Sequence, residues 1–163
     1  MAIDFVIDER ASVGHVHLKV SELERSIAFY REVLGFELQA QLGGDAAFLS
    51  AGGYHHHVGL NTWQSRGGSP PPAGATGLFH VAFLYPSRRA LARAVRRVLE
   101  SRVALAGASD HGASEAVYLA DPDGNGIELY RDLPREDWPR EPDGNPILYT
   151  HPLDLEALLA EAD

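Results

Sequence analysis

Residues 14–20, GHVHLKV, and residues 79–86, FHVAFLYP, are two versions of one segment, and together they decide the fold. Shifting the chain by 65 positions places His15 on His80. In each segment apolar residues occupy every second position, the period of a half-buried β-strand. A pattern with apolar residues three and four apart follows each segment and indicates an amphipathic helix. The two halves of the chain therefore each begin with a strand and a helix.

The ends of the two halves match as well. Residues 47–60, AFLSAGGYHHHVGL, align without a gap on residues 117–130, VYLADPDGNGIELY, which places Val58 on Glu128. Each stretch reads as strand, tight turn and strand, because Gly, Pro and Asp supply the turn. With one short strand added to each half, both halves read βαβββ. The predicted fold class is α+β, with two βαβββ modules forming a half-open, eight-stranded, barrel-like cup and the helices outside.

Several local features are predicted from the same patterns. The added short strands are expected near residues 36–39 and 103–105. Ser21 and Ser87 precede the two helical patterns and are expected to cap them, since serine hydroxyls accept hydrogen bonds from free helical N–H groups. The arginine-rich stretch, residues 88–97, recurs at helical spacing and is expected to be a solvated helix face.

The chain divides into a folded part and a tail. We expect a single domain over residues 1–135 and a Pro-rich tail that ends in a short acidic helix. The parts are module 1 (residues 12–65), a Gly- and Pro-rich linker (66–77), module 2 (78–132) and the tail (136–163).

Bulk properties exclude several classes of protein. The 163 residues are 45% hydrophobic, enough for one compact core, and carry a net charge of -9. Nucleic acid and anionic membranes are therefore not expected as partners, because both attract clustered Lys and Arg. The sequence has no cysteine, no signal-peptide pattern and no apolar run of membrane-spanning length. We expect a cytoplasmic protein without disulfides.

Polar residues at equivalent positions of the repeat indicate a metal site. On the first strand of each module the apolar set faces the helices, which leaves His15 and His80 on the concave side. Glu128 lies between Ile127 and Leu129 and should face the same cavity. Two imidazoles and one carboxylate leave three positions open on an octahedral ion, an arrangement suited to Fe(II) or Mn(II). The alternative is that these histidines are ordinary core residues.

The chain resembles the vicinal oxygen chelate superfamily, which includes glyoxalase I, fosfomycin resistance proteins, bleomycin-binding proteins and extradiol dioxygenases. The resemblance rests on HVHLKV, FYREVLGF, FHVAF and DPDGNGIEL, and covers residues 12–132. It implies His15, His80 and Glu128 as ligands of Fe(II), with Mn(II), Zn(II) or Ni(II) as alternatives. The implied function is a metal-dependent extradiol, catechol 2,3-type dioxygenase that cleaves a small aromatic vicinal diol with O₂.

Three further residues favour the dioxygenase branch of this family. His56 lies two positions before Val58, so alternation turns it, rather than His55 or His57, toward the cavity; the resemblance gives it an acid–base role beside O₂. Tyr118 matches a tyrosine that contacts substrate. His111 matches a histidine that bonds the catecholate oxygen, although its loop is two residues shorter here. The alternatives are a surface histidine triplet, a core aromatic residue and an exposed loop histidine.

Other activities of the superfamily stay open at this point. Isomerases of the glyoxalase I type use a second carboxylate, where this chain has Val58. A fosfomycin-type transferase would use the same three ligands but needs cations for a phosphonate. A non-catalytic, bleomycin-resistance-like binding protein would lack the metal. We expect a homodimer, or one metal-binding half of an architecture with four modules.

Overall fold

The chain folds into two mixed β-sheets, seen in a computed structural model that describes residues 5–163. The first sheet has the order β1-β4-β3-β2, with β1 (Val16–Lys19), β2 (Glu37–Leu42), β3 (Ala46–Ser50) and β4 (Val58–Asn61). The second has the order β5-β8-β7-β6-β9, with β5 (Val81–Leu84), β6 (Gly107–Asp110), β7 (Ser114–Ala120), β8 (Gly126–Asp132) and β9 (His151–Pro152). The helices are α1 (Leu23–Ala28), α2 (Arg88–Glu100) and α3 (Leu155–Leu159).

The two sheets follow one plan, which confirms the α+β class and the two βαβββ units. In each, the first strand pairs in parallel with the fourth strand of its unit, and the other neighbours pair antiparallel. One face of each sheet packs on the helices. Its core side chains are buried, among them Leu18, Leu60, Leu91, Ile127 and Leu129. β1 and β5 are edge strands, so each module presents its first strand at the side of its sheet.

Some strands lie at residues other than those predicted. β2 runs over Glu37–Leu42 instead of residues 36–39, and β6 over Gly107–Asp110 instead of 103–105. After α2 the chain turns at Arg102, whose φ of 59° ends the helix, and so the next strand starts later. A ninth strand, contributed by the tail, extends the second sheet beyond the predicted eight strands.

The two predicted helix caps have different outcomes. Ser87 caps α2 as predicted, because its hydroxyl accepts a hydrogen bond from Ala90 N. Ser21 does not cap α1, which begins after Glu22 without a side-chain cap. Its hydroxyl instead donates to Asp123 Oδ1 at 2.5 Å, in the turn before β8. A tertiary contact with the other module has replaced the local one.

The arginine-rich face of α2 is not simply solvated, contrary to the sequence-based expectation. Arg88 bonds Glu115 and Glu161, and Arg131 also bonds Glu115, at 2.8 Å. Arg96 donates to Leu159 O at 2.8 Å. These arginines hold α3 and the three residues after it against α2, where Leu158 is fully buried.

Polar contacts between the modules involve the helix of the first and the turn that precedes β8. The Tyr30 hydroxyl donates to Asp121 Oδ2 at 3.2 Å, and Arg25 bonds Asp123 Oδ1 at 2.7 Å. Tyr30 is completely buried, and burial together with the Asp121 charge raises its pKa well above the ordinary value. Phe36 and Phe83 add an aromatic contact, with ring centroids 5.0 Å apart.

None of the helices in residues 5–163 is both long enough and apolar enough to cross a membrane.

Candidate active site

The strand pairing corrects the alignment of the two modules. Val16 pairs with Val58 in the first sheet, and its counterpart Val81 pairs with Ile127 in the second. Val58 is therefore equivalent to Ile127, and the prediction that it matches Glu128 is wrong. The turn before β4 is one residue longer than the turn before β8, so the ungapped alignment slipped by one position.

The true counterpart of Glu128 is Gly59. Phe48 pairs with Gly59 in the same way that Tyr118 pairs with Glu128. The ring of His17 covers this glycine: a Cβ on Gly59 would lie 2.9 Å from His17 Cγ. In the first module an imidazole thus occupies the space above the position where the second module carries a carboxylate.

The second module brings His80 and Glu128 together. His80 immediately precedes β5, Glu128 lies in β8, and the two strands are parallel neighbours. His80 Nε2 lies 2.9 Å from Glu128 Oε2, and the glutamate side chain is only 13% exposed. At Gly126 any side chain would collide with the backbone oxygen of Phe79, so glycine permits this close approach of the two strands.

Two more of the predicted residues extend this pair into a chain of hydrogen-bonding groups. The Tyr118 hydroxyl lies 3.2 Å from Glu128 Oε1 and 2.6 Å from His111 Nε2. His111 Nδ1 lies 2.8 Å from the carbonyl oxygen of Tyr149, in the tail. Desolvation, followed by the charge of Glu128, raises the pKa of Tyr118 to about 12, so its phenol stays protonated at neutral pH.

The first module contributes His15 and His56. Their ring centroids are 4.4 Å apart, and the ring of Phe48 lies 5.1 Å from His56. His56 Nδ1 contacts His55 Nδ1 at 2.8 Å, which leaves Nε2 of His56 for other partners. Desolvation, together with the neighbouring histidines, lowers the pKa of His56 and favours its neutral form.

His57 departs from the prediction, because it lines the cavity between β1 and β5. The alternation argument treated residues 55–57 as strand, but β4 begins at Val58, and the preceding residues form a loop. The Nδ1 of His57 accepts a hydrogen bond from Ala51 N at 3.2 Å, and its ring packs on Tyr54. A loop has no period of two, so alternation does not apply here, and the cavity lining includes His57 but not His56.

The cavity has a volume of about 920 Å³. His15 and His80 both line it, so one predicted ligand from each module borders the same space. The remaining wall is mainly apolar and aromatic, and includes Phe36, Phe83 and Tyr130. Among the described residues, no Lys or Arg belongs to this lining.

The donor groups fit a divalent metal in part. Two donors that bind one ion at about 2.1 Å in adjacent octahedral positions lie about 3 Å apart, close to the 2.9 Å between His80 Nε2 and Glu128 Oε2. No hydrogen-bond partner within residues 5–163 reaches the buried Nδ1 of His80. In that same part of the chain, no three His, Asp or Glu side chains converge closely enough to hold an ion. The assignment of His15 as third ligand therefore stays a prediction.

Two features of the site were not anticipated. Tyr149 and the strand that follows it come from the tail, which gave no periodic signal linking it to His111. The pairing of His17 with Gly59 was also missed, although a glycine inside an apolar strand commonly marks the close approach of another group.

Comparisons with known proteins agree with this architecture. Residues 12–129 match the Glyoxalase/Bleomycin resistance protein/Dioxygenase superfamily. A crystal structure of a glyoxalase/dioxygenase from Nostoc punctiforme has a TM-score of 0.64 and 23% identity, and the match covers 82% of this chain and all of that one. A crystal structure of a lactoylglutathione lyase from Agrobacterium tumefaciens has a TM-score of 0.59 and 22% identity, and the match covers 76% of this chain and 96% of that one. At these identities the likeness establishes the fold alone.

Two curated relatives are closer in sequence. The "Catechol-2,3-dioxygenase" of Bacillus subtilis (strain 168) is 41% identical over 156 residues, which cover 96% of this chain and 54% of that protein. The "Biphenyl-2,3-diol 1,2-dioxygenase 3" of Rhodococcus globerulus is 30% identical over 121 residues, 74% of this chain and 63% of that protein. The chain thus spans only about half to two thirds of their length. These matches confirm the resemblance drawn from the sequence: the chain belongs to the glyoxalase/bleomycin resistance protein/dioxygenase superfamily.

Proposed function

We propose that this chain is a metal-dependent extradiol dioxygenase that cleaves a small aromatic vicinal diol with O₂. The observation that carries the proposal is the continuous series of contacts from His80 through Glu128 and Tyr118 to His111, beside an apolar cavity. The similarity of this chain to the Bacillus subtilis catechol-2,3-dioxygenase supports the same reaction class.

The ion would be held by His15, His80 and Glu128. Fe(II) is the first candidate for this ion. When bound, Fe(II) would supply the redox chemistry that lets the diol react with O₂. In the first module Gly59 stands at the position of Glu128. Because glycine offers no side-chain donor, the ion would have three protein ligands, which favours an open dioxygenase site over a four-ligand isomerase site.

The remaining side chains would handle protons. The lowered pKa of His56 favours its neutral form, and its Nε2 is free of its neighbour His55, so this nitrogen would accept a proton from a diol hydroxyl and return it later. Tyr118, held protonated by its raised pKa, would orient the other diol oxygen through its hydroxyl. His111 would fix the position of that hydroxyl at 2.6 Å.

The cavity favours an uncharged aromatic substrate. Its apolar lining gains from covering an aromatic ring, and no cation within the described lining would offset the desolvation of a carboxylate. We therefore expect unsubstituted, alkyl- or aryl-substituted catechols to react faster than carboxylated ones.

Oxygen consumption tests the proposal. The purified chain would be loaded anaerobically with Fe(II), assayed for bound iron, and mixed with a panel of catechols in an oxygen electrode. We expect one O₂ consumed per diol, with a ring-opened product seen by mass spectrometry as the diol mass plus that of O₂. Glu100→Gln, which alters an exposed side chain outside the cavity lining, serves as the control for a single substitution.

Protein that holds iron but consumes no O₂ with any diol would refute the dioxygenase proposal. Binding of a diol without turnover, detected by calorimetry, would then favour a non-catalytic binding protein. Protein that binds neither iron nor any of the other candidate ions, Mn(II), Zn(II) and Ni(II), would refute the metal site itself.

We also propose that the chain acts as a homodimer. Large apolar side chains beside the cavity are exposed: Val13 by 91%, Phe79 by 89% and Leu84 by 57%. A second copy that covered them would bury apolar area and shield the cavity from water. One chain has a mass of 17.7 kDa. Light scattering at micromolar concentration should give twice this mass, and a monomer would refute this part of the proposal.

A further inference from the structure

We propose that the carbonyl oxygen of Tyr149 fixes the tautomer of His111, so that Nε2 of this imidazole accepts the proton of the Tyr118 hydroxyl. Tyr149 would be a positioning residue that acts through His111. The catalytic meaning of this arrangement rests on the proposed function, whereas the tautomer itself follows from hydrogen-bond chemistry alone.

The argument begins at Nδ1 of His111. This nitrogen lies 2.8 Å from the Tyr149 carbonyl oxygen, which can only accept a hydrogen bond. A hydrogen on Nδ1 is therefore required for an attractive contact. The Thr150 hydroxyl, 3.4 Å from the same nitrogen, can act as a second, weaker acceptor.

The other ring nitrogen must then be an acceptor. A neutral imidazole carries one N–H, so a hydrogen on Nδ1 leaves a lone pair on Nε2. Nε2 of His111 lies 2.6 Å from the Tyr118 hydroxyl, which can supply the hydrogen for this contact. The tyrosine has only one proton, and the shorter contact takes it.

The consequence reaches Glu128. Its Oε1 lies 3.2 Å from the Tyr118 hydroxyl, the longer of the two contacts of that group. If Tyr118 donates to His111, both carboxylate oxygens of Glu128 keep their lone pairs for a cation. The opposite tautomer of His111 would donate to the tyrosine oxygen, and Tyr118 would then donate to Glu128 and weaken it as a ligand.

The tail holds the Tyr149 carbonyl in place through the sheet. β9 begins two residues after Tyr149, and its His151 pairs with Asp110 of β6, one residue before His111. Leu153 N donates to Ala108 O at 3.3 Å on the same edge. The carbonyl therefore lies two residues before a strand that pairs with β6, the strand leading to His111.

Packing of the Tyr149 ring adds a second restraint. The ring stacks on His151, with centroids 4.2 Å apart, and covers Gly112. Gly112 has a φ of +80°, and a Cβ there would lie 2.8 Å from Tyr149 Cε1. Glycine is thus needed both for the turn and for the ring to approach, which brings the Tyr149 backbone within reach of the imidazole.

Nuclear magnetic resonance of the full chain tests the inference without any turnover. Protein labelled with ¹⁵N-histidine would be treated with a chelator, so that no paramagnetic ion broadens the signals, and kept about two pH units above the usual titration of imidazole. Long-range ¹H–¹⁵N spectra distinguish the two tautomers, and His111→Gln identifies the signals of His111. We expect the hydrogen on Nδ1.

Two tail variants separate the carbonyl contact from general stability. Tyr149→Gly removes the ring that packs on Gly112 and should release the carbonyl, so that the Nδ1–H signature is lost and kcat falls about 10- to 100-fold, as for other outer-shell contacts. Leu148→Ala alters the neighbouring side chain, which is 68% exposed, and should change neither.

A hydrogen found on Nε2 of His111 in the parent protein would overturn the inference, whatever its activity. The inference would also fail if the Nδ1–H signature persisted in a Tyr149→Gly protein whose Leu153 amide had lost its protection from hydrogen exchange. A parent protein with the Nδ1–H signature but no O₂ uptake would refute the proposed function and leave the tautomer assignment intact.

Discussion

The ring of His17 lies directly above the α-carbon of Gly59, so close that a Cβ on Gly59 would be 2.9 Å from His17 Cγ. In the second module the same two positions are taken by Ala82 and Glu128, which are also strand partners. A small residue and a large one thus share each site, in opposite order. This exchange leaves the first module without a carboxylate and gives the two halves of the repeat different chemistry.

Adding a methyl group at Gly59 should therefore destabilise the protein. We expect Gly59→Ala to lower the free energy of unfolding by about 1–3 kcal/mol, the usual cost of overpacking. In a His17→Ala background the same change should cost less than half as much, because the ring that collides is gone. Urea denaturation of the four proteins measures this coupling; equal costs in both backgrounds would contradict it.

Removal of one predicted ligand should abolish tight metal binding. We expect His80→Ala to weaken Fe(II) or Zn(II) binding by about 100-fold or more, since an outer-shell partner alone is worth about 10- to 100-fold. Glu128→Gln, which keeps the shape of the side chain but not its charge, should have a similar effect. Calorimetric titration checks both variants.

Glu100→Gln is the matched control for Glu128→Gln, because Glu100 is an exposed glutamate outside the cavity lining. Parent-like affinity in His80→Ala would show that the ligands have been assigned wrongly. The same titration of His15→Ala tests the third ligand, whose ring borders the cavity but does not contact Glu128 closely enough to complete a site in the described residues.

The buried contact between Tyr30 and Asp121 should stabilise the packing of the two modules. We expect Tyr30→Phe to lower the free energy of unfolding by about 1–3 kcal/mol near neutral pH, because Asp121 would lose a partner in a buried setting. Thermal or urea unfolding measures this. Tyr85→Phe serves as a comparison, since it removes a tyrosine hydroxyl elsewhere in the protein.

The same contact predicts a dependence on alkaline pH. Burial and the charge of Asp121 raise the folded-state pKa of Tyr30 above the ordinary value of 10.0. Its contribution is therefore fully present below pH 10 and is lost as the pH rises toward the folded-state pKa, since the unfolded chain releases the proton first. We expect the stability difference between parent and Tyr30→Phe to shrink above pH 10; a constant difference would contradict this.

The ion pairs of α2 should stabilise the packing of the tail against this helix. Arg88 bonds both Glu115 of β7 and Glu161, which follows α3. We expect Arg88→Met to destabilise the protein by about 1–2 kcal/mol, a value reduced because the side chain is 23% exposed. Arg89→Met, at the exposed neighbouring position, should change stability by less than about 0.5 kcal/mol.

Hydrogen exchange distinguishes local release of the tail from global destabilisation in the Arg88→Met protein. We expect the amides of α3 and β9 to exchange faster than those of β7 and β8. Uniform acceleration throughout the chain would mean that Arg88 does not hold the tail in particular.

Local patterns in the sequence predicted much of the fold and part of the candidate site. The period of two in GHVHLKV and FHVAFLYP, together with the helical pattern after each, predicted both βαβββ units. The same periodicity placed His80 and Glu128 on one face, and they lie 2.9 Å apart. These predictions succeeded because side-chain direction in a strand depends only on the residue's position along that strand.

Where the chain is not a strand, or where two strands must be matched, the sequence was not enough. The gap-free alignment paired Val58 with Glu128, because it could not reveal that one turn is a residue longer than the other. His57 reached the cavity because the loop before β4 has no fixed alternation. Strand register is set by hydrogen bonds between distant segments, and a shift of one residue reverses which side chains share a face.

The tertiary structure also decided the surroundings of the site. Nothing in the local pattern of residues 136–163 linked the Tyr149 carbonyl to His111, because a backbone oxygen has the same sequence signature at every position. Nor did the helical spacing of the arginines in α2 reveal that they bind the end of the chain. The sequence by itself thus determined the fold class and the set of candidate ligands, through periodicities within single elements. Their partners were decided only by contacts between elements, which depend on packing in three dimensions.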